Sequence, residues 1–364
     1  MSRKEKKGLS TTAKWAIALL VEILILALLV FVYVKVYISD KLDMVQYDAL
    51  DPSELCINDG CNPDQDGYRL IAIFGIDSRS NTDMREGNRS DCIMIASINK
   101  STKEMKIVSV YRDSFLQIQD GSGLITKVNA AYAFGGPKLA IQTLNANLDL
   151  KITDYVAVNF LALTKAIDLI GGIRVDISEG ELAVINSGIT EQINITGIYS
   201  DGVFSTGEQL LNGTQATAYA RIRSTDQGDI TRTERQREVI SKMLAKAKTS
   251  DLQTLDSMLD EVLPNILTSI PKDELLDLLM DVKDYDLSST IGFPLAWQPV
   301  NHETKGSVIV PADLEQNVSA LHEYLFGTEN YLPTTKVLDI CAGVRNETGV
   351  APQEITINTY SAPE

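Results

Sequence analysis

Arginine is concentrated in one short segment of an otherwise acidic chain. The net charge of the 364 residues is −16, yet five arginines fall within residues 221–237. Guanidinium groups match phosphate oxygens in pairs, and a helix N-terminus adds free N–H groups and partial positive charge. The sequence predicts such a helix over residues 232–248, with Thr231 and Glu234 as its capping box. The segment is therefore suited to bind phosphate groups.

A second interpretation of this segment is a solvated face, on which Asp226, Asp229 and Glu234 pair with the arginines. Three polar clusters at the ends of predicted strands favour the phosphate site, because α/β folds bind ligands at strand ends. The clusters are Gly75-Ile-Asp77-Ser-Arg79 after a strand at 69–75, Asn88-Arg89-Ser90-Asp91 before a strand at 92–98, and Tyr111-Arg112-Asp113-Ser114 at the end of a strand at 105–111.

Two carboxylates in these clusters are suited to hold a metal. Asp77 and Asp91 offer hard oxygen ligands of the kind that bind Mg²⁺ bridged to a pyrophosphate. Lys127 could add one more positive charge to the same site. Zinc is disfavoured, because the chain has two histidines and neither lies at a ligand spacing from a cysteine.

Alternating strand and helix patterns predict a three-layer α/β/α domain over residues 69–328. Residues 39–68 are predicted to form a stalk, and residues 329–364 a loosely attached tail. Residues 178–206 give few clear patterns. Further predicted strands are 155–160, 173–177, 290–293 and 306–310, and further predicted helices are 129–134, 137–148, 161–170, 208–211, 214–220, two within 251–285, and 312–326.

The N-terminal region predicts a single transmembrane helix. Residues 15–34 contain one charged side chain, Glu22, and a helix of that length spans roughly 30 Å of hydrocarbon. We predict a basic cytoplasmic tail at 1–14, a membrane helix at 15–38 and an extracellular body, because Lys4, Lys6, Lys7 and Lys14 precede the span. A cleaved signal peptide is the alternative, but the apolar run is too long and no small-x-small site follows it.

Two cysteines in the predicted stalk leave their redox state open. Cys56 and Cys61 lie in a turn-rich stretch, where an extracellular location would permit a small-loop disulfide and where two free thiols are equally compatible with the spacing. Nucleic-acid binding is excluded as a general role, because it requires a basic face and this chain is acidic.

In the order of its motifs the sequence resembles the LytR–CpsA–Psr family of envelope phosphotransferases. The resemblance covers about residues 69–245, behind an N-terminal membrane helix. Its matching residues are Gly75-x-Asp77-x-Arg79, Arg89-Ser90-Asp91, Arg112-Asp113, Lys127 to Gly136, Arg221-x-Arg223, Asp229 and Arg232-x-x-Arg235-Gln236.

The resemblance implies transfer of a teichoic acid or capsule-type polymer from a polyprenyl-pyrophosphate carrier to a peptidoglycan sugar hydroxyl in a Gram-positive envelope. Asp77 and Asp91 would hold Mg²⁺. Asp113 or Asp229 could accept the proton of the acceptor hydroxyl, or could instead orient an arginine. The pyrophosphate would be surrounded by Arg79, Arg89, Arg112, Lys127, Arg221, Arg223, Arg232, Arg235 and Gln236. The family also implies an apolar tunnel for the lipid. The amphipathic helices predicted at 138–148, 161–170 and 238–247 must bury apolar faces in any case, with core packing as the default, so the sequence identifies no lipid-contact residue.

The chain departs from the family pattern at three places. Cys92 stands where the family usually has Thr, Tyr111 stands where Pro is common, and the loop between Asp77 and Asp91 contains the additional Arg85. Two rival functions remain compatible with the sequence. One is a pyrophosphatase that uses water at the same site, and the other is a non-catalytic, lipid-binding or regulatory envelope protein.

Overall fold

The computed structural model describes residues 28–29, 32–76, 84–85, 87–223, 228–352 and 360–361. The first described helix, α1, comprises residues 32–42. No helix within the described residues is long and apolar enough to cross a bilayer. The predicted span at 15–38 lies largely outside those residues.

Fourteen β-strands are described in the chain. They are β1 (Gln46–Tyr47), β2 (Tyr68–Ile76), β3 (Ser90–Asn99), β4 (Glu104–Val110), β5 (Phe115–Gln117), β6 (Ile125–Lys127), β7 (Asp154–Asn159), β8 (Ile173–Ile177), β9 (Gly207–Leu211), β10 (Ile266–Thr268), β11 (Asp286–Phe293), β12 (Trp297–His302), β13 (Gly306–Pro311) and β14 (Tyr360–Ser361).

Nine further helices accompany these strands. They are α2 (Asn129–Leu148), α3 (Phe160–Leu169), α4 (Glu179–Thr196), α5 (Gly213–Tyr219), α6 (Asp229–Thr249), α7 (Leu252–Val262), α8 (Lys272–Met280), α9 (Leu314–Phe326) and α10 (Thr335–Thr348). The two predicted helices at 129–134 and 137–148 form one element, α2, which is kinked at Gly135 and Gly136.

Eight strands form the central sheet in the order β1-β10-β7-β2-β3-β4-β11-β14. β3 runs antiparallel to both of its neighbours, β2 and β4, whereas β7 is parallel to β2 and β11 is parallel to β4. The predicted hairpin at 92–98 and 105–111 is therefore confirmed. As a result, the C-terminal ends of β2 and β4 and the N-terminal end of β3 meet at one edge of the sheet.

Helices cover both faces of this sheet, so the predicted mixed α/β fold is confirmed. Phe74 and Ile95 face the main core, which α2, α9 and α10 complete on that side. Ile71 and Ile73 point to the opposite face, where α8 and α6 lie. A second core joins β8 and β9 to α3, α4 and α5.

Both ends of the described chain pack more closely than predicted. In the predicted stalk, β1 pairs with β10, and Leu55 is fully buried in the main core. In the predicted loose tail, Val337 and Ile340 of α10 are buried in the same core. The prediction of a loose tail is wrong for α10, because its apolar side chains have a periodic face that covers α2 and α9.

Two local predictions in the middle of the chain are wrong, and one helix lies in a stretch for which no element was predicted. Residues 207–211 form a strand, not a helix, because β9 pairs antiparallel with β8. Residues 178–206 contain α4, whose capping box joins Ser178 to Glu181. The predicted capping box at Thr231 is absent, because α6 begins three residues earlier than predicted, after Gly228, without a side-chain cap.

The two described cysteines of the predicted stalk, Cys56 and Cys61, are free thiols. Cys56 is exposed and Cys61 is buried. Burial raises the pKa of the Cys61 thiol.

Candidate functional site

A β-bulge places Asp91 at the edge of the sheet. Gly75 of β2 opposes Cys92, but the next residue, Ile76, opposes Ser90, so Asp91 is the extra residue on β3. Bulges of this kind redirect a side chain out of the regular alternation of a strand. Gly75 permits the close approach of the two strands, because a Cβ there would lie 2.8 Å from Cβ of Cys92.

Arg112 contacts three carboxylates, one on β3, one on α6 and one in the turn that follows β4. Its Nη1 donates to Oδ1 of Asp91 at 2.7 Å, and its Nε lies 3.1 Å from Oδ1 of Asp229 and 3.8 Å from Oδ1 of Asp113. Burial disfavours its charge, but these carboxylates outweigh burial and raise the pKa of Arg112. Arg112 lies two residues after the end of β4, so the sheet fixes its position relative to Asp91.

Asp91 is held between two arginines from distant parts of the chain. Its Oδ2 accepts a hydrogen bond from Nη2 of Arg223 at 3.0 Å, opposite the contact with Arg112. Burial acts to raise the pKa of Asp91, but Arg112, Arg232 and Arg223 outweigh it and hold that pKa below its ordinary value. The carboxylate is therefore ionised at neutral pH.

The first turn of α6 adds a buried ion pair. Nη2 of Arg232 lies 2.5 Å from Oδ1 of Asp229, and Arg232 is only 1% exposed. Burial lowers the pKa of Arg232 to about 10 and raises the pKa of Asp229 above its ordinary value. Apart from this ion pair, the three guanidinium nitrogens of Arg232 have no hydrogen-bond partner among the described residues. Buried donors of this kind are satisfied when an anion binds.

Asp91, Arg112, Asp113, Arg223, Asp229 and Arg232 thus form one group, which we call the charged cluster. Lys127 lies at its edge, because Nζ is 3.2 Å from Oδ1 of Asp113. Gln236 adjoins it on the other side, where Nε2 donates to the backbone oxygen of Asp91 at 3.4 Å. The structure therefore brings together residues that are more than one hundred positions apart in the sequence.

Other predicted site residues lie apart from these contacts. Nε of Arg235 donates to Glu181 at 2.7 Å, and Nη2 of Arg221 donates to Glu191 at 3.0 Å. Arg89 is exposed and forms no ion pair with the described residues. Asp77 and Arg79 were predicted to belong to the site and lie outside the described residues.

The sequence patterns did not identify Glu181 as the partner of the predicted site residue Arg235. It caps α4 through Ser178 and also accepts the hydrogen bond from Arg235. Burial acts to raise the pKa of Glu181, but the hydrogen bonds from Ser178 and Arg235 outweigh it and lower that pKa. The sequence Ser178-x-x-Glu181 could have identified the start of α4, but not the contact with Arg235.

An apolar cavity of about 540 Å³ begins beside the charged cluster. It lies between α6 and the sheet and extends to α7 and to residues that follow α8. Gly75, Cys92 and Gln236 line the cavity and also adjoin the cluster. Deeper lining residues include Ile73, Val158, Phe160, Leu163, Val239, Ile240, Leu244 and Leu255.

The departures from the family pattern have structural consequences. Cys92 is part of the cavity wall, and burial raises its pKa to about 12, so its thiol is neutral. Tyr111 fits because Gly292 leaves room for it, since a Cβ at Gly292 would lie 2.1 Å from the tyrosine hydroxyl oxygen. Nε of Arg85 lies 3.7 Å from Oδ1 of Asp48.

One carboxylate of the charged cluster could serve as a ligand for a magnesium ion. Mg²⁺ commonly binds through one or two carboxylates together with phosphate oxygens and water. Asp91 supplies one such carboxylate. Among the described residues, no group of three or more His, Cys, Asp or Glu side chains is arranged to hold a metal by itself.

Comparison with known proteins identifies relatives of the chain. It is 32% identical over 217 residues to TagU of Halalkalibacterium halodurans, which is named a polyisoprenyl-teichoic acid–peptidoglycan teichoic acid transferase. The match spans 59% of this chain and 64% of TagU, which is just under two thirds of the length of TagU. It is 35% identical over 211 residues to biofilm regulatory protein A of Streptococcus mutans, covering 55% and 49% of the two chains.

A solved structure shares the fold. The family protein TagT with bound octaprenyl pyrophosphate lipid superposes with a TM-score of 0.51 at 19% identity, over 84% of this chain and all of TagT. The model of the LytR_cpsA_psr family matches residues 30–305, a longer region than the motifs alone covered. The resemblance seen in the sequence is thereby confirmed, and the chain belongs to the LytR–CpsA–Psr family.

Proposed function

We propose that this protein transfers a glycopolymer from a polyprenyl-pyrophosphate carrier to a sugar hydroxyl of peptidoglycan. The observation that carries the proposal is the continuity between the charged cluster and the apolar cavity. A polyprenyl pyrophosphate has the same two parts, an anionic head and an apolar tail. The names of TagU and of the lipid-bound TagT agree with this substrate class.

In the reaction, an oxygen of the acceptor hydroxyl forms a bond to the phosphorus next to the polymer. The bond from that phosphorus to the bridging oxygen breaks, and polyprenyl phosphate leaves with the electron pair. The acceptor proton passes to Asp113 or Asp229, the two carboxylates closest to Nε of Arg112. Because phosphoryl transfer depends mainly on positioning and charge stabilisation, Arg112, Arg223 and Arg232 supply the groups that it requires.

Magnesium would be held by Asp91, with Asp77 as the second carboxylate that the family resemblance implies. When bound, the ion would neutralise the pyrophosphate and stabilise the leaving phosphate. In that arrangement Arg112 and Arg223 would keep the pyrophosphate oxygens close to Asp91.

The proposed location is the outer face of the cell membrane, with the N-terminus in the cytoplasm and residues 15–38 as the single span. The position of α1 supports this arrangement. Nζ of Lys41 lies 2.6 Å from Asp256 and 2.8 Å from Asp260 on α7, and the neighbouring Leu255 lines the cavity. The chain that leaves the proposed membrane span is therefore attached beside α7, at the side of the cavity away from the charged cluster. A lipid tail would enter the cavity at that side.

The function can be tested with the full chain in detergent micelles. The protein is incubated with a lipid-pyrophosphate oligosaccharide, Mg²⁺ and soluble peptidoglycan fragments, and the products are separated by mass. Oligosaccharide joined to the fragment through phosphate is the expected product. Chelation of Mg²⁺ should stop its formation.

Two other outcomes would replace the proposal. Release of phosphorylated oligosaccharide at the same rate with and without fragments would identify a pyrophosphatase. Binding of the lipid without any turnover would identify a non-catalytic carrier-binding protein.

A further inference from the structure

We propose that the acceptor sugar binds against Trp297, at the end of the charged cluster that lies away from the apolar cavity. The inference rests on the proposed function and adds the position of the second substrate. Neither the sequence motifs nor the charged cluster includes Trp297.

The contacts within the charged cluster show that one of its ends adjoins the apolar cavity and the other does not. Gln236 lines the cavity and donates to the backbone of Asp91, and the Asp91 side chain contacts Arg112. From Arg112 the contacts continue through Asp113 to Lys127. Asp113, Lys127 and Trp297 are not among the described residues that line the cavity.

Phosphoryl transfer requires that the attacking and leaving oxygens lie roughly in line across the phosphorus. A lipid tail in the cavity fixes the direction in which polyprenyl phosphate leaves. The acceptor hydroxyl must then approach from the opposite end, where Asp113 and Lys127 are located.

Trp297 is fixed beside this end by a small apolar cluster. It packs against Tyr111, Ile230 and Ile309, which are all buried. Tyr111 precedes Arg112 in the chain, and Ile230 follows Asp229. The backbone N–H of Ile309 donates to the backbone oxygen of Asp113 at 2.9 Å.

The backbone around Trp297 is also held in place. β12 pairs with β13 along its whole length, and Trp297 opposes Pro311. Trp297 is half-buried, so the residue keeps some exposure to solvent. A rigid tryptophan offers a large amphipathic surface at little cost in conformational entropy. The C–H face of a pyranose ring can stack on that surface, and the indole N–H can donate to a sugar oxygen.

The kinetic test compares Trp297→Ala and Trp297→Phe in the full chain, with each substrate varied in turn. We expect the alanine variant to raise the KM for peptidoglycan fragments about tenfold, the effect of removing an aromatic contact worth about 1.4 kcal/mol. The KM for the lipid donor should remain within about twofold of the wild type on the same scale. The phenylalanine variant should recover most of the acceptor affinity, because it keeps an aromatic face.

Tyr199→Ala provides the matched control, since Tyr199 is an aromatic residue that is 79% exposed and belongs to neither the cluster nor the cavity wall. An unchanged acceptor KM in Trp297→Ala would overturn the inference. An equal rise in both KM values would also overturn it, because it would indicate a general role of Trp297 in supporting the cluster.

A binding measurement separates this inference from the proposed function. The chain contains two tryptophans, so Trp15→Phe leaves Trp297 as the single indole. Titration with a soluble peptidoglycan disaccharide should change its fluorescence saturably, even in a preparation that shows no turnover. A sugar alcohol of similar size should leave the emission unchanged. Absence of a saturable response to the disaccharide would refute an acceptor site at Trp297, whatever the outcome of the transfer assay.

Discussion

The charged cluster and the apolar cavity adjoin each other but recognise their ligands by different physics. In the cluster, a few ionised groups contact one another at fixed distances, and Arg112 alone contacts three carboxylates. In the cavity, many aliphatic side chains contribute small contacts that have no preferred direction. A single substitution in the cluster should therefore cause a large loss of activity. A single substitution in the cavity should cause only a small change, because many other side chains still contact the ligand.

The largest effect is expected for Arg112→Lys. Lysine keeps the charge, but its single nitrogen cannot contact Asp91 and Asp229 together as the planar guanidinium does. We expect kcat/KM to fall about a thousandfold, as for loss of a main charge-stabilising group. The transfer assay measures this directly.

Arg174→Lys is the matched control for that substitution. Arg174 lies on β8, where its ion pair with Glu208 is exposed on both sides. This variant should transfer at the wild-type rate. If Arg112→Lys retained more than about a tenth of the wild-type rate, the proposed special role of the cluster geometry would be wrong.

A smaller effect, this time on stability, is expected for Asp91→Asn. The pKa of Asp91 is below its ordinary value, so its ionised form stabilises the fold above the ordinary carboxyl pKa, and this stabilisation is lost as the pH falls through the lower folded value. Removal of the charge should cost about 2 kcal/mol of unfolding free energy at pH 7.

The measurement is urea denaturation of both proteins between pH 7 and about pH 3, which spans the ordinary carboxyl pKa. The difference between wild type and variant should shrink as the pH is lowered. A difference that stayed constant, or that grew in acid, would show that Asp91 does not stabilise the fold through its charge.

The smallest effect is expected in the cavity, for Ile240→Ala. The substitution removes part of the apolar surface that the lipid tail would contact, so the KM for the donor should rise about fivefold, with kcat unchanged. Leu338→Ala on α10, outside the cavity wall, is the control. A loss as large as that of Arg112→Lys would remove the distinction between the two regions.

The sequence allowed prediction of the parts of the site that depend on strand ends. Continuous apolar runs located β2, β3 and β4, and polar residues beside those runs marked Asp91 and Arg112. Their convergence follows from the sheet, because an antiparallel hairpin brings the two ends together. The family resemblance then connected them to α6.

The contacts of Arg235 could not be predicted in the same way. Arg232 and Arg235 lie on one turn of α6 and have the same chemistry. Arg232 faces the charged cluster, whereas Arg235 pairs with Glu181 of α4. The difference depends on where α4 packs, and no pattern within residues 229–237 contains that information.

The cavity was equally inaccessible to sequence patterns. The apolar residues of α6 have the spacing of an ordinary core-facing helix, and Val239 is indeed buried. What makes a cavity is the distance at which α6 packs from the sheet, which the tertiary structure sets. The same limit explains β9, whose strand conformation comes from its partner β8 and not from its own composition.

The bulge at Asp91 has a further consequence for how β3 can vary. In a regular strand, side chains alternate strictly between faces, and Asp91 would then share the face of Ile93 and point into the main core. The extra residue shifts the phase of the strand by one position, so Ser90 takes the inward place and the carboxylate is released to the rim. The position of the Asp91 carboxylate therefore does not depend on which apolar residues β3 contains. The strand can be repacked from Ile93 onward without moving the carboxylate that Arg112 and Arg223 both contact.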